Sequence, residues 1–319
     1  MTDRARIALA AAAAFCLAGC ISLDGFLFDS SRRELEDYDF GDEELDGIDP
    51  DRITSVLIPS AEPGVKIHVV YAERDPAELD SRIDPQRRVT VLFSHGNRGN
   101  IGLYWYRAGY FEDMGFNVMF YDYRGYGASG GETSERHIYE DAASAYDWLE
   151  QREDVGDIVS VGYSMGGAPA IWLCSSDSGR DPLACFTEST FTDTEGIVQD
   201  ATGFDLPGDW LVDSELNNLA RIARVEVPFL LMHGTEDHRV PFWHGRDLWE
   251  EVRDNHPLNR FYAVNGATHR NVPLPSYQGE EEPREYSHPD ELPAELRDEL
   301  DLYQRRIADF VVEALAELP

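Results

Sequence analysis

From Ile53 onward the chain alternates short, continuous apolar runs with longer stretches of helical periodicity. Residues 53–59 and 65–71 read as a pair of strands joined by a turn at Ala61-Glu62-Pro63-Gly64. Residues 88–94 (RVTVLFS) are a run of the fully buried strand type, and 116–121 (FNVMFY), 183–187, 227–233 and 260–264 predict further strands. Between them lie helical patterns at 104–111, 214–223 and 243–253. Ser134 is placed to cap a helix that carries Ile138, Ala142, Ala145 and Leu149 on one face. A terminal helix sets Leu296, Leu300, Tyr303, Ile307, Phe310 and Ala314 on one stripe. Strands alternating with helices predict an α/β fold with a mostly parallel sheet of about eight strands, covered on both faces. Residues 191–226 have mixed signals and the length of a modest lid, and the proline- and acid-rich residues 271–293 read as a surface insertion.

The first 52 residues do not share this pattern. Arg4 and Arg6 precede an apolar run over 7–19 that ends in Leu17-Ala18-Gly19-Cys20. That run is too short to span a bilayer, which takes about 20 residues, and its layout is that of a secretory signal. The Leu-Ala-Gly-Cys ending resembles a bacterial lipobox. The resemblance implies cleavage after residue 19, lipid on Cys20 and an exported protein anchored to a membrane of the cell envelope. Residues 20–52 follow as an acidic tether, with ten Asp or Glu between Ser31 and Arg52, a composition that resists burial. On this reading the folded domain is 53–319.

Charge narrows the partners. Of 319 residues 61 are acidic, Lys66 is the only lysine and the formal net charge is −34. Such a surface argues against nucleic acid and against electrostatic attraction to anionic lipid, and it suits high ionic strength, where screening relieves self-repulsion. Cys174 and Cys185 remain outside the signal, and the sequence allows either a disulfide or two buried thiols.

The candidate chemistry centres on residues 157–167 (DIVSVGYSMGG). An apolar strand pattern tightens through Gly162, places Ser164 and closes on Gly166-Gly167 before a small-residue helix pattern. This spacing fits a strained strand-to-helix turn that lifts a serine hydroxyl clear of the sheet. A nucleophilic serine needs a base, and the base needs an orienting acid. In a parallel sheet such groups collect at the carboxyl ends of strands. Two loops there offer them: Gly234-Thr235-Glu236-Asp237-His238 and Asn265-Gly266-Ala267-Thr268-His269. The order Ser164, Asp237, His269 is the α/β-hydrolase order.

With HGN at 95–97, DYRGYGAS at 122–129, GYSMGG at 162–167, HGTEDHRVP at 233–241 and GATH at 266–269, the chain resembles the α/β-hydrolase fold family, among its small HGN-type serine hydrolases with a minimal lid. The resemblance spans roughly residues 53–270 and the last helix. It implies that Ser164 is the nucleophile, His269 the base and Asp237 the orienting acid, with the Asn97 and Met165 backbone N–H groups as oxyanion donors. His238, Glu236 and Glu188 are rival choices for base or acid. His68, His95 and His233 read as structural, Asp122 and Arg124 as supports of loop geometry, and Arg98 and Asn100 as possible borders of the entrance. The aromatic residues Tyr104, Trp105, Phe191, Phe204 and Trp210 suggest a small or medium acyl substrate. No cofactor is implied, and the acidic stretches lack the calcium-loop pattern. The expected reaction is cleavage of a carboxylic ester or thioester through an acyl-enzyme. A serine peptidase, an acyltransferase and a non-catalytic binding lipoprotein are the alternatives.

Overall fold

The computed structural model describes residues 28–38, 40, 48–74, 82–83, 87–202, 214–278 and 292–318. In chain order its strands are β1 (Asp29–Ser30), β2 (Ile53–Pro59), β3 (Lys66–Ala72), β4 (Val89–Ser94), β5 (Arg98–Gly99), β6 (Asn117–Tyr121), β7 (Asp157–Tyr163), β8 (Ala184–Glu188), β9 (Phe229–Gly234) and β10 (Arg260–Val264). Its helices are α1 (Ile101–Tyr104), α2 (Arg107–Glu112), α3 (Glu135–Glu150), α4 (Gly167–Cys174), α5 (Thr194–Thr202), α6 (Asn218–Ile222), α7 (Phe242–Val252) and α8 (Ala294–Ala316). Eight strands form one sheet in the order β10-β9-β8-β7-β4-β6-β3-β2. β2 and β3 are antiparallel to their neighbours, and the rest of the sheet is parallel. This is the α/β architecture that the alternating pattern predicts.

Alternation along each strand sends side chains to opposite faces. Val91 and Phe93 of β4 join one core layer with α2 and α8, while Leu92 joins the other with α3 and α4. The stripe of α8 is buried along its length, from Leu296 to Ala314. In α3 the four stripe residues Ile138, Ala142, Ala145 and Leu149 are fully buried, and Ser134 Oγ accepts from His137 N at 3.3 Å as the N-cap. A third layer, between β8, β9, α4, α6 and α7, contains Cys174 and Cys185 as free buried thiols. The short helix α6 begins at Asn218; residues 214–217, expected to be helical, are not.

The acidic stretch departs from expectation. Residues 28–38 do not hang free: β1 pairs in parallel with β5, and Phe40 and Ile48 are buried in the core. Composition predicted extension because carboxylates resist burial, but the residues that pack here are the few apolar, aromatic and arginine side chains between them. The signal residues, Cys20, Phe204, Trp210 and residues 279–291 lie outside the described residues.

Candidate active site

β4 and β7 are neighbours, yet the chain leaves them in opposite directions, to β6 on one side and β8 on the other. The crevice at the carboxyl ends of such strands is where ligands bind in open α/β sheets. Ser164 stands there, directly after β7, with φ of +54°. That left-handed value costs a non-glycine residue energy and survives only where packing enforces it. Packing does so here: a Cβ on Gly162 would collide with Gly166 O, and one on Gly166 with Ser94 O. The turn runs through the 3-10 segment Ser164–Gly166 into α4, so Met165 lies in a first turn, where N–H groups lack intrahelical acceptors.

The loops after β9 and β10 bring the other two groups to the serine. His269 Nε2 lies 3.1 Å from Ser164 Oγ, and His269 Nδ1 lies 2.8 Å from Asp237 Oδ2. Asp237 Oδ1 is occupied, accepting from Arg239 N at 2.9 Å and Val240 N at 2.8 Å. The carboxylate therefore claims the Nδ1 proton and leaves Nε2 of the neutral ring as acceptor for the serine hydroxyl. Ser164, Asp237 and His269 are all buried. The rivals are elsewhere: Glu236 and His238 are exposed, although their neighbour Asp237 points inward.

Glu188 has a different position from the one considered in sequence. Its Oε1 accepts from Arg107 Nη1 at 2.9 Å and its Oε2 from Tyr303 OH at 3.0 Å, all buried. Burial alone would lower the Arg107 pKa, but Glu188 and the tyrosines around it hold it well above its ordinary value, so the guanidinium stays charged. The guanidinium carbon lies 4.5 Å from the centre of the Tyr163 ring, and that ring lies 5.3 Å from the His269 ring. Tyr163 OH also donates to His269 O at 3.0 Å. A buried ion pair, an aromatic ring and the imidazole thus form one stack. The sequence carries no signal for it beyond a tyrosine before the serine. Arg107→Met should destabilise the fold by about 3–5 kcal/mol by leaving a buried carboxylate unpaired, whereas Arg107→Met with Glu188→Met should recover most of that loss. Urea unfolding midpoints would read both; equal losses in the single and double variants would refute the account.

His95, His68 and His233 are buried and bonded within the framework. His95 Nδ1 donates to Gly96 O at 2.7 Å, His68 Nε2 shares 2.8 Å with Ser55 Oγ, and His233 Nε2 donates to Val240 O at 2.9 Å. Asp122 accepts from Ile101 N at 2.8 Å and Tyr38 OH at 2.9 Å, and its Oδ1 lies 3.3 Å from His95 Nε2. Arg124 ties its loop to α3 through Asp141 at 2.8 Å and Glu140 at 2.7 Å. Asn97 O accepts from Tyr126 OH at 2.9 Å. Arg98 is exposed, but Asn100 caps α1 and turns its amide to Ser31 Oγ at 2.9 Å, so it supports the loop instead of lining an entrance. Tyr104, Trp105 and Phe191 are core residues. A cleft of about 590 Å³ opens at the opposite, amino-terminal ends of β7, β8 and β9, where Leu149, Val155, Leu183 and Leu318 line it together with Glu150, Asp157 and Glu226.

Asp237 and Asp122 also set the response to acid. Burial alone would raise both pKa values. The charge and hydrogen bond of His269 at Asp237, and the close approach of the His68 and His95 rings to Asp122, bring them below the ordinary carboxylate value. A depressed folded-state pKa stabilises the fold fully above the unfolded value of about 4 and ceases to do so as pH falls through the lower one. Urea midpoints should therefore fall steeply below about pH 4, and a flat profile from there to about pH 2 would contradict the two assignments.

Comparison with known proteins gives concordant likenesses. Residues 85–184 match the family described as serine aminopeptidase, S33. The uncharacterized protein YfhR of Escherichia coli K12 is 28% identical over 219 residues, covering 67% of this chain and 74% of that protein. Human alpha/beta hydrolase domain-containing protein 17B is 31% identical over 203 residues, covering 60% of this chain and 64% of that protein. Among solved structures, the Pyrococcus furiosus esterase Pf2001 superimposes with a TM-score of 0.65 at 17% identity, over 90% of this chain and 98% of that one. Sheet order, serine turn and these likenesses agree: the chain has the α/β-hydrolase fold.

Proposed function

We propose that the protein is a serine hydrolase that cleaves carboxylic esters or thioesters. One observation carries the reading: a serine held at φ +54° with His269 Nε2 at 3.1 Å and Asp237 behind the imidazole. Ser164 Oγ attacks the acyl carbonyl as His269 takes its proton. The oxyanion forms between the N–H groups of Met165 and Asn97, where each donor contributes a few kcal/mol to the transition state, roughly 3–4. The imidazolium then protonates the departing alcohol or thiol, and His269 activates water to release the acid from Ser164. The likeness to an esterase of known structure supports this chemistry, and the serine aminopeptidase match supports amide cleavage as the second reading.

The same reading places the protein outside the cytoplasm, attached to a membrane through lipid on Cys20, with a small or medium acyl compound as substrate and no nucleic acid partner. Two or more acyl chains on one cysteine suffice for stable anchoring. The test is turnover of p-nitrophenyl esters of increasing chain length beside aminoacyl amides, using residues 21–319. Esters should be cleaved with one preferred length; amides cleaved faster than every ester would transfer the assignment to peptidase.

A further inference from the structure

Residues 28–38 run against the loop that carries Asn97, pairing with Arg98 and Gly99. We infer that this segment is a positioning strap for the oxyanion loop, and that the site is incomplete without it. The inference rests on the serine hydrolase reading above.

The strap grips both flanks of Asn97. On one side Ser31 N donates to Gly99 O at 3.1 Å, and Asn100 Nδ2 donates to Ser31 Oγ at 2.9 Å. On the other, Gly127 N donates to Ser31 O at 2.9 Å and Arg33 N to Gly127 O at 3.1 Å. Tyr126, the residue before Gly127, donates its hydroxyl to Asn97 O. Arg32 reaches further along the same loop, to Ser129 O and, at 2.6 Å, to Gly131 O. Two loops that meet at Asn97 are thereby fastened to one extended segment.

A third connection acts on the donor itself. Tyr38 OH donates to Asp122 Oδ2 at 2.9 Å, Asp122 Oδ1 faces His95 Nε2 at 3.3 Å, and His95 Nδ1 donates to Gly96 O at 2.7 Å. Gly96 C=O and Asn97 N–H belong to one peptide plane and point in opposite directions. Fixing the carbonyl therefore aims the N–H. The approach of Tyr38 is close enough that a Cβ on Gly127 would collide with both its hydroxyl and Asp122. Tyr38 and Arg32 are thus positioning residues: neither touches the reacting atoms, and both act through the loop that does.

The strap also connects the site to the chain's start. Seven residues, 21–27, separate Cys20 from Phe28. At about 3.5 Å each they reach roughly 25 Å.

The experiment uses the chain of residues 21–319 with Tyr38→Phe, with Arg32→Ala and with both. Each is assayed for ester turnover, for the rate of fluorophosphonate labelling at Ser164 and for hydrogen exchange of residues 96–101. The expected result is a fall in kcat of about tenfold or more in the double variant with KM within about twofold, slower labelling and faster exchange in the loop. Tyr139→Phe removes a buried hydroxyl from α3 and should leave all three readings unchanged. Wild-type kcat in the folded double variant overturns the inference, with or without faster exchange. So does a rise in KM alone, which would make the segment part of substrate binding. Should the double variant fail to fold, Tyr38→Phe decides alone, since it removes one oxygen. No labelling and no turnover in the parent chain would sink the serine hydrolase reading instead, which separates the two failures.

Discussion

Ser164→Ala is expected to abolish fluorophosphonate labelling and to lower ester turnover roughly 10⁴-fold or more. The substitution removes the atom that forms the acyl-enzyme but leaves the turn intact, because the packing that enforces φ +54° comes from Gly162, Gly166 and their neighbours and not from Oγ. Stability should change little, or rise slightly as the buried hydroxyl is lost. Residual activity would come from the oxyanion donors and from substrate positioning, which the variant retains. The comparison therefore isolates covalent catalysis. Undiminished turnover in a folded variant would mean that another group attacks, and labelling at a different residue would identify it.

Asp237→Asn should cost about 10⁴-fold in kcat with little change in KM. The geometry makes the sign unambiguous. Asp237 Oδ1 accepts two backbone N–H groups, from Arg239 and Val240, so an asparagine keeps its oxygen there. Its amide nitrogen then faces His269 Nδ1, and a donor at that position forces the ring proton onto Nε2. The imidazole would present a proton to Ser164 Oγ instead of a lone pair, and the base would be absent in a correctly shaped site. A loss smaller than about tenfold would show that the ring is oriented by something else. Glu188 is not a ready substitute, because both of its oxygens are engaged, by Arg107 and Tyr303.

Much of this was legible in the sequence, for identifiable reasons. The stripe on α8 and the Ser134 cap of α3 are local patterns, decided within a few residues, and they were readable. The serine turn was readable because glycine is tolerated at 162 and 166 for steric reasons that the spacing itself encodes. Asp237 and His269 were legible as ends of predicted strands, once a parallel sheet was assumed. Two things were not. The stack of Glu188, Arg107, Tyr163 and His269 joins four elements across the sheet, and a contact between residues 81 positions apart leaves no periodic trace. The strap was hidden by the acidic stretch it opens: Asp29, Glu34, Glu36, Asp37 and the carboxylates that follow them to Asp51 obscure the serine, arginines and tyrosine that make its contacts. The supporting role of Asn100 was hidden for a related reason, since the segment it bonds was expected to lie outside the fold.

The relay closes over long stretches of chain. Ser164 and His269 are 105 residues apart, and the imidazole meets its acid only when the loops after β9 and β10 have docked. Closing such separations delays a contact in folding until the intervening strands are in place. While the chain is still collapsing, Ser164 is an ordinary alcohol on a flexible backbone, without a base or an aimed donor. On the serine hydrolase reading the site is therefore among the last features to assemble, and a partly folded copy would lack the alignment of Ser164, His269 and Asp237.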